Sequence, residues 1–221
     1  MEEKNRATYQ SLPDTEIIQK ILGGEKLLFE LLMRRTNALL YKVGRSYRFN
    51  HEDTEDLMQE AHIAAYMNLF KFESRSQYKT WITKIMLNKC IYKMSKMEHR
   101  EKLTSLDQVQ NAGASAFGGP QAYDTEKQVL NSELSRTLEK VIGEIPLDYR
   151  MVFMLREKEG FDVAETAEIL NISESNVKVR LNRAKGMLRQ KFEHYYSNLQ
   201  VFEFNLVYCD KIVNNVMLRL R

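Results

Sequence analysis

Cysteine, proline, glycine and long apolar runs are all scarce in this chain, and each scarcity removes a class of protein. Only two of the 221 residues are cysteine, Cys90 and Cys209. They are too few and too far apart for a disulfide framework or a zinc-ligand spacing, and both read as reduced core residues. Three prolines and nine glycines leave little of the punctuation a sheet protein needs, and the long runs of Leu, Glu, Lys, Met and Arg point to an all-α fold. No apolar run approaches a membrane span, and the start of the chain is polar, with Glu2 and Glu3 where a secretory segment would be apolar. A cytoplasmic protein is expected. The four histidines, His51, His62, His99 and His194, are scattered, so no catalytic or ligand constellation forms, and neither a metal, a cofactor nor an enzyme is expected.

What is present is unevenly placed charge. The net value of +3 says little about partners, but acids gather between Glu52 and Glu60 while bases gather between Arg75 and Lys102 and again beyond Lys178. With 43% hydrophobic and 29% charged residues the chain has a soluble globular composition, long enough for one large or two small domains.

The sharpest pattern runs from Phe161 to Leu188. Ala164, Ala167 and Leu170 give a narrow apolar face at helical spacing, Asn171-Ile172-Ser173 supplies a turn and a cap, and Val177, Leu181, Ala184 and Leu188 make the stripe of a second helix. Ser173 is placed to accept from a free backbone N–H near Asn176. Small residues at 164 and 167 let the first helix brace the second, whose opening turn can then enter a major groove. That aims Glu174, Ser175, Asn176, Lys178, Val179 and Arg180 at base edges, with Asn182 and Arg183 nearer the backbone.

The first half holds a second pattern. A helix from Asp14 buries Ile17, Ile18, Ile21 and Leu22 and stops at Gly23-Gly24; a longer one from Glu25 to about Tyr47 turns Leu27, Leu28, Leu31, Leu32, Ala38, Leu39 and Val43 inward. Beyond it, helical periodicity puts Leu57, Met58, Ala61, Ala65, Leu69 and Phe72 on one side and Asp56, Gln59, Glu60, Ile63 and Met67 on the other. A merely solvated face has no reason to carry Ile63 and Met67 among its acids; a protein-binding surface does. From Tyr78 to about Arg100 the character reverses. Lys89, Lys93, Lys96 and Arg100 stack in one stripe near Trp81 and Tyr92, which suits a nucleic acid tracked by cations and stacked on aromatics. The low-complexity stretch inside 103–125 reads as a flexible connector, and Leu206, Val207, Ile212, Val213, Val216, Met217 and Leu220 give the tail an amphipathic helical pattern.

These blocks carry a family resemblance. Ile145-Pro146-Leu147-Asp148-Tyr149-Arg150, Val152 to Arg156, and Val177-Lys178-Val179-Arg180-Leu181-Asn182-Arg183-Ala184 resemble region 4 of the bacterial sigma-70 superfamily, most of all its extracytoplasmic-function (ECF) branch. Asp53 to Glu60 is similar to the region 2.2 signature, and Tyr78-Lys79-Thr80-Trp81-Ile82 with Asn88-Lys89 to regions 2.3 and 2.4. Met86-Leu87 stands where the family usually has Ala-Arg, so the phosphate contact that the arginine would make is missing, and Lys84 and Lys89 are the candidates to replace it.

The resemblance implies two helical domains, region 2 over 1–102 and region 4 over 126–191, joined by a linker at 103–125 and followed by an extension at 192–221. It implies that Asp53, Asp56, Gln59, Glu60 and Ile63 dock on the clamp coiled coil of core RNA polymerase, and that region 4 touches the beta flap. It assigns Ser74, Arg75, Gln77, Tyr78, Trp81, Asn88 and Lys89 to the melted, single-stranded minus-10 element, to which the basic stripe adds Lys93 and Lys96. Ser173, Glu174, Ser175, Asn176, Lys178, Val179, Arg180, Asn182 and Arg183 go to the double-stranded minus-35 element. It also admits an anti-sigma partner. The competing expectation is a stand-alone helix-turn-helix dimer on palindromic operators, for which Asp56 and Gln59 serve no purpose.

Overall fold

Every described element is a helix or a helical turn. The computed structural model describes residues 11–104 and 137–197, with side chains over 11–100 and 137–193. The expected connector at 103–125 lies almost entirely outside these residues, as does the tail beyond Ser197. Helix α1 (Asp14–Leu22) begins behind Pro13 at the cap position, so Asp14 sits in the first turn, where it pairs with Arg35 at 2.5 Å. Ile17, Ile18 and Ile21 are buried, but Leu22, expected to face inward, is 53% exposed. The chain turns at Gly24 with φ +112°, a conformation glycine adopts without penalty.

The helix expected from Glu25 opens as a 3₁₀ turn (Lys26–Leu28) and becomes α-helical only in α2 (Phe29–Ser46). The tighter turn changes the angular register, so Leu27 swings out to 72% exposure while Leu28 stays buried. Ala38 is likewise exposed, because the inward stripe runs through Leu32, Thr36, Leu39, Leu40 and Val43. Helix α3 (His51–Met67) is capped by Asn50, whose side chain accepts from the Asp53 amide at 2.7 Å. After a second 3₁₀ turn (Leu69–Lys71) and a loop, α4 (Tyr78–Thr104) packs against both α2 and α3. Leu32, Leu40, Leu57, Ala61, Leu69, Ile82, Met86 and Cys90 fill the space between them.

Gly44 sets how closely these helices approach. A Cβ there would lie 2.6 Å from the Thr54 methyl and 3.1 Å from the Met86 terminal methyl. Gly44→Ala is therefore expected to destabilise, by about 1 to 3 kcal/mol, even though alanine is the better helix former. Thermal unfolding of the variant checks this; a raised midpoint would contradict it.

His62 is the other constrained group in this core. Its Nε2 lies 2.8 Å from Asn37 Oδ1, its Nδ1 has no partner, and the Phe29 ring stands edge-on at 6.3 Å. Burial lowers its pKa below the ordinary histidine value, so the folded chain holds it neutral. The unfolded chain then binds more protons as pH drops below about 6.5, and stability falls with it. The unfolding midpoint should drop between pH 7.5 and pH 5.5, and His62→Leu should drop less over the same interval; parallel curves would refute this origin.

The second group starts with a helical run at residues 137–143, followed by α5 (Leu147–Phe153), which opens behind Pro146 and widens into a π-type turn (Met154–Lys158). Helices α6 (Val163–Leu170) and α7 (Glu174–Ser197) complete it. Val141, Ile145 and Leu188 form a small core flanked by Tyr149, Phe153, Met187 and Phe192. Phe192, at the start of the expected extension, thus belongs to the packing of this group. Met151, Leu155, Phe161 and Ile169 are buried in the same cluster as Tyr47, Ile82 and Met86, so the two groups of helices lie against each other.

Candidate nucleic-acid and partner interfaces

Helix α3 divides as its sequence predicts. Leu57, Ala61 and Ala65 are buried, whereas Asp56, Gln59, Glu60, Ile63 and Met67 are exposed, Ile63 at 65% and Met67 at 66%. Phe70, in the 3₁₀ turn that follows, is 68% exposed. Asp53 differs from the other acids. It is half-buried, its amide is held by Asn50, and its carboxylate meets Lys93 at 2.5 Å. Glu60 reaches Lys89 at 3.0 Å. Two of the ridge's five expected residues are therefore tied to two of the lysines expected on DNA.

Around the start of α4 the structure separates wedge from surface. Ser74 takes a left-handed φ of 54°, the exposed Arg75 pairs with Glu73 at 2.6 Å, and Gln77 is exposed where the helix begins. Tyr78 is buried, its ring 6.0 Å from Phe72 and 5.9 Å from Trp81, and burial raises the pKa of its unpartnered hydroxyl. Trp81 is half-buried in the same aromatic cluster. Tyr92, by contrast, is 70% exposed, and helical spacing puts it on one face with the exposed Asn88 and Lys96. It is the open aromatic beside the cationic stripe. Lys89 and Lys93 are half-buried on the side that meets α3. At the departure, Met86-Leu87, both side chains are buried in the core.

The helix-turn-helix is built by local chemistry. Asp162 and Glu165 close a capping box at the start of α6: the Asp162 side chain accepts from the Glu165 amide at 2.7 Å, and the Glu165 side chain accepts from the Asp162 amide at 2.9 Å. Asn171 ends the helix at φ 52°, a left-handed position that asparagine tolerates. Ser173 Oγ then accepts from the Asn176 amide at 3.2 Å, as expected of the cap. In α7 Val177, Ala184 and Leu188 are buried.

The brace is not the expected one. Ala164 is exposed and Ala167 and Leu170 are half-buried, while Phe161, Thr166 and Ile169 point inward. Helix α6 meets α7 on one side and α4 on another, and this second neighbour rotates its buried face.

Of the predicted reading residues, Glu174, Ser175, Lys178 and Val179 stand exposed at the start of α7. Asn182 is also exposed, and Arg183 donates to the Tyr149 hydroxyl at 3.4 Å. Asn176 is half-buried and accepts from Arg180 Nε at 3.1 Å, and Arg180 Nη2 pairs with Asp148 at 3.2 Å. Asn176 and Arg180 thus tie α7 to α5. Among the described residues no group of three His, Cys, Asp or Glu side chains could hold a metal ion, and no helix is long and apolar enough to cross a membrane.

Comparison with known proteins matches the two groups separately. Residues 32–100 match Sigma-70 region 2, and residues 135–188 match Sigma-70, region 4. The chain belongs to the sigma-70 family. Region 2 thus spans most of α2, all of α3 and most of α4, and region 4 spans α5, α6 and the first part of α7. The chain is 26% identical to the ECF RNA polymerase sigma-E factor of Haemophilus influenzae, over 83% of this chain and 97% of that protein. It is 27% identical to the ECF RNA polymerase sigma factor SigW of Bacillus subtilis, over 79% and 94%. Its fold resembles that of CnrH, solved in complex with the cytosolic domain of CnrY (TM-score 0.59, 21% identity, covering 82% of this chain and 97% of that one). It also resembles RpoE of Bartonella quintana, solved in complex with the anti-sigma factor NepR (TM-score 0.61, 20% identity, covering 75% and 96%).

Proposed function

We propose that this sigma-70 family member is an ECF sigma factor that binds core RNA polymerase and directs promoter-specific initiation through minus-10 and minus-35 elements. The observation that carries the reading is a conjunction. One chain presents the acid-and-apolar ridge of α3, an exposed tyrosine among cations on α4, and a helix-turn-helix whose opening turn stands clear. A stand-alone operator-binding dimer accounts for the third feature and leaves region 2 without a purpose.

In this reading residues 1–102 dock on polymerase and handle the minus-10 element, 103–125 connect, 126–191 read the minus-35 element, and 192–221 form an extension. Asp56, Gln59, Glu60 and Ile63 meet the clamp coiled coil; Asp53 positions them through its pair with Lys93. The loop from Ser74 to Gln77, with Trp81, Asn88, Tyr92 and Lys96, receives the extruded strand, and Tyr78 supports Trp81 from below. Glu174, Ser175, Lys178 and Val179 enter the major groove, and Asn182 and Arg183 track phosphate. The chain supplies binding energy for melting and no bond-making chemistry of its own, and it acts in the cytoplasm with the polymerase. The complexes of CnrH with CnrY and of RpoE with NepR motivate an anti-sigma partner for this chain too.

The test is to add purified chain to sigma-free core polymerase on genomic DNA and sequence the start sites. New starts sharing two separated motifs are expected, and starts identical to those of core alone would defeat the reading. Within it, Glu174→Ala should leave core binding unchanged and redistribute starts among promoters differing in the upstream motif. Start patterns indistinguishable from wild type would remove Glu174 from the reading edge.

A further inference from the structure

Helix α3 carries five acids, Glu52, Asp53, Glu55, Asp56 and Glu60, and no lysine or arginine. Glu52, Asp56 and Glu60 recur at helical spacing with Ile63 and Met67, and all five side chains are exposed. A negative strip therefore runs into an apolar one along a single face. The apolar end is costly to leave in water: Ile63 is 65% and Met67 66% exposed, on a helix whose Leu57, Ala61 and Ala65 are buried.

Residues 211–221, Lys-Ile-Val-Asn-Asn-Val-Met-Leu-Arg-Leu-Arg, have the complementary character. They hold three cations, Lys211, Arg219 and Arg221, and no acid. Val213, Val216, Met217 and Leu220 fall on one side of a helix, with Arg219 and Arg221 flanking that stripe. A segment this short cannot hold a helix in water, where about 12–15 residues are marginal, so its stripe orders only against an apolar partner. Reach is sufficient. The stretch 198–210 that follows α7 extends up to about 43 Å at about 3.3 Å per residue. Helices α7, α6, α4 and α3 pack in succession, and three spacings of about 8–10 Å make roughly 30 Å.

Resting on the sigma reading above, we propose that residues 211–221 cover the α3 ridge in the free chain. Val213, Val216 and Met217 seat on Ile63 and Met67, and Arg219 and Arg221 lie over Asp56 and Glu52, an antiparallel pairing in which charge sets the direction and apolar contact the affinity. Tail and polymerase then compete for one surface, and the apparent affinity for core is reduced by the fraction of chains whose ridge is open.

Photoreactive p-benzoylphenylalanine in place of Met67, in the otherwise intact chain, tests the contact directly. On illumination its ketone carbon bonds to a neighbouring carbon and takes up that carbon's hydrogen, and trypsin with mass spectrometry identifies the partner. Peptide 212–219 linked within a monomeric chain is expected. No link, a link to another part of the chain, or one confined to dimers would overturn the proposal, the last meaning that a second copy covers the ridge. Chains shortened after Asp210, and full-length chains carrying Arg219→Glu with Arg221→Glu, should each bind core polymerase roughly three- to tenfold more tightly than wild type. The paired substitution keeps the apolar stripe, so it decides the matter if the shortened chain is insoluble; unchanged or weaker binding by it would also overturn the proposal. Failure of wild type and both variants alike to join core polymerase would instead remove the sigma reading, and the photochemical link still decides what covers α3.

Discussion

Asp56→Arg is expected to remove association with core RNA polymerase, weakening it by at least about 30-fold, or about 2 kcal/mol. Asp56 is exposed at the end of the ridge that continues through Gln59, Glu60, Ile63 and Met67. Charge on such a rim orients a partner, and apolar side chains at the centre supply affinity, so a reversed charge meets like charge where a complement is needed. Folding should be nearly unaffected, within about 0.5 kcal/mol, because the side chain is exposed. Size-exclusion chromatography with core polymerase reads the first effect and thermal unfolding the second. Full binding by the variant would take the ridge out of the interface.

Lys178→Glu is expected to lower transcription from minus-35-dependent promoters by about 10- to 100-fold with core binding unchanged. Lys178 is exposed beside Glu174, Ser175 and Val179 on the opening turns of α7, where a groove-reading helix meets bases and phosphate. Reversal replaces a released counterion with a repelled phosphate, so the dependence of log affinity on log salt should flatten by about one unit. The same substitution at Arg180 is expected to act through folding instead, since that guanidinium bridges Asn176 and Asp148. An unaltered salt slope in Lys178→Glu would place this lysine outside the DNA contact.

The two-faced character of α3 was legible in the sequence because a 17-residue helix repeats its 3.6-residue period several times, long enough for acids and apolar residues to sort. Ser173 as a cap was legible for a local reason, its hydroxyl sitting three residues before the amide it accepts from. Less could be read where burial depends on distant chain. Tyr78 has the composition of a surface aromatic beside a basic helix, and only Phe72 and Trp81 closing around it make it core. The bracing face of α6 was misplaced because its eight residues also meet α4, a neighbour no local period encodes. The contacts between regions are the extreme case, since Thr80 and Glu165 are 85 residues apart and Ser46 and Arg150 are 104 apart, each meeting through a single hydrogen bond.

The most direct measurement mixes the wild-type chain with sigma-free core polymerase at modest salt and follows whether they migrate together. The proposed sigma function predicts that they do, in a complex competed away by an established sigma factor. A chain that elutes alone at micromolar concentration, while still folded and helical, would contradict the account, whatever its affinity for DNA.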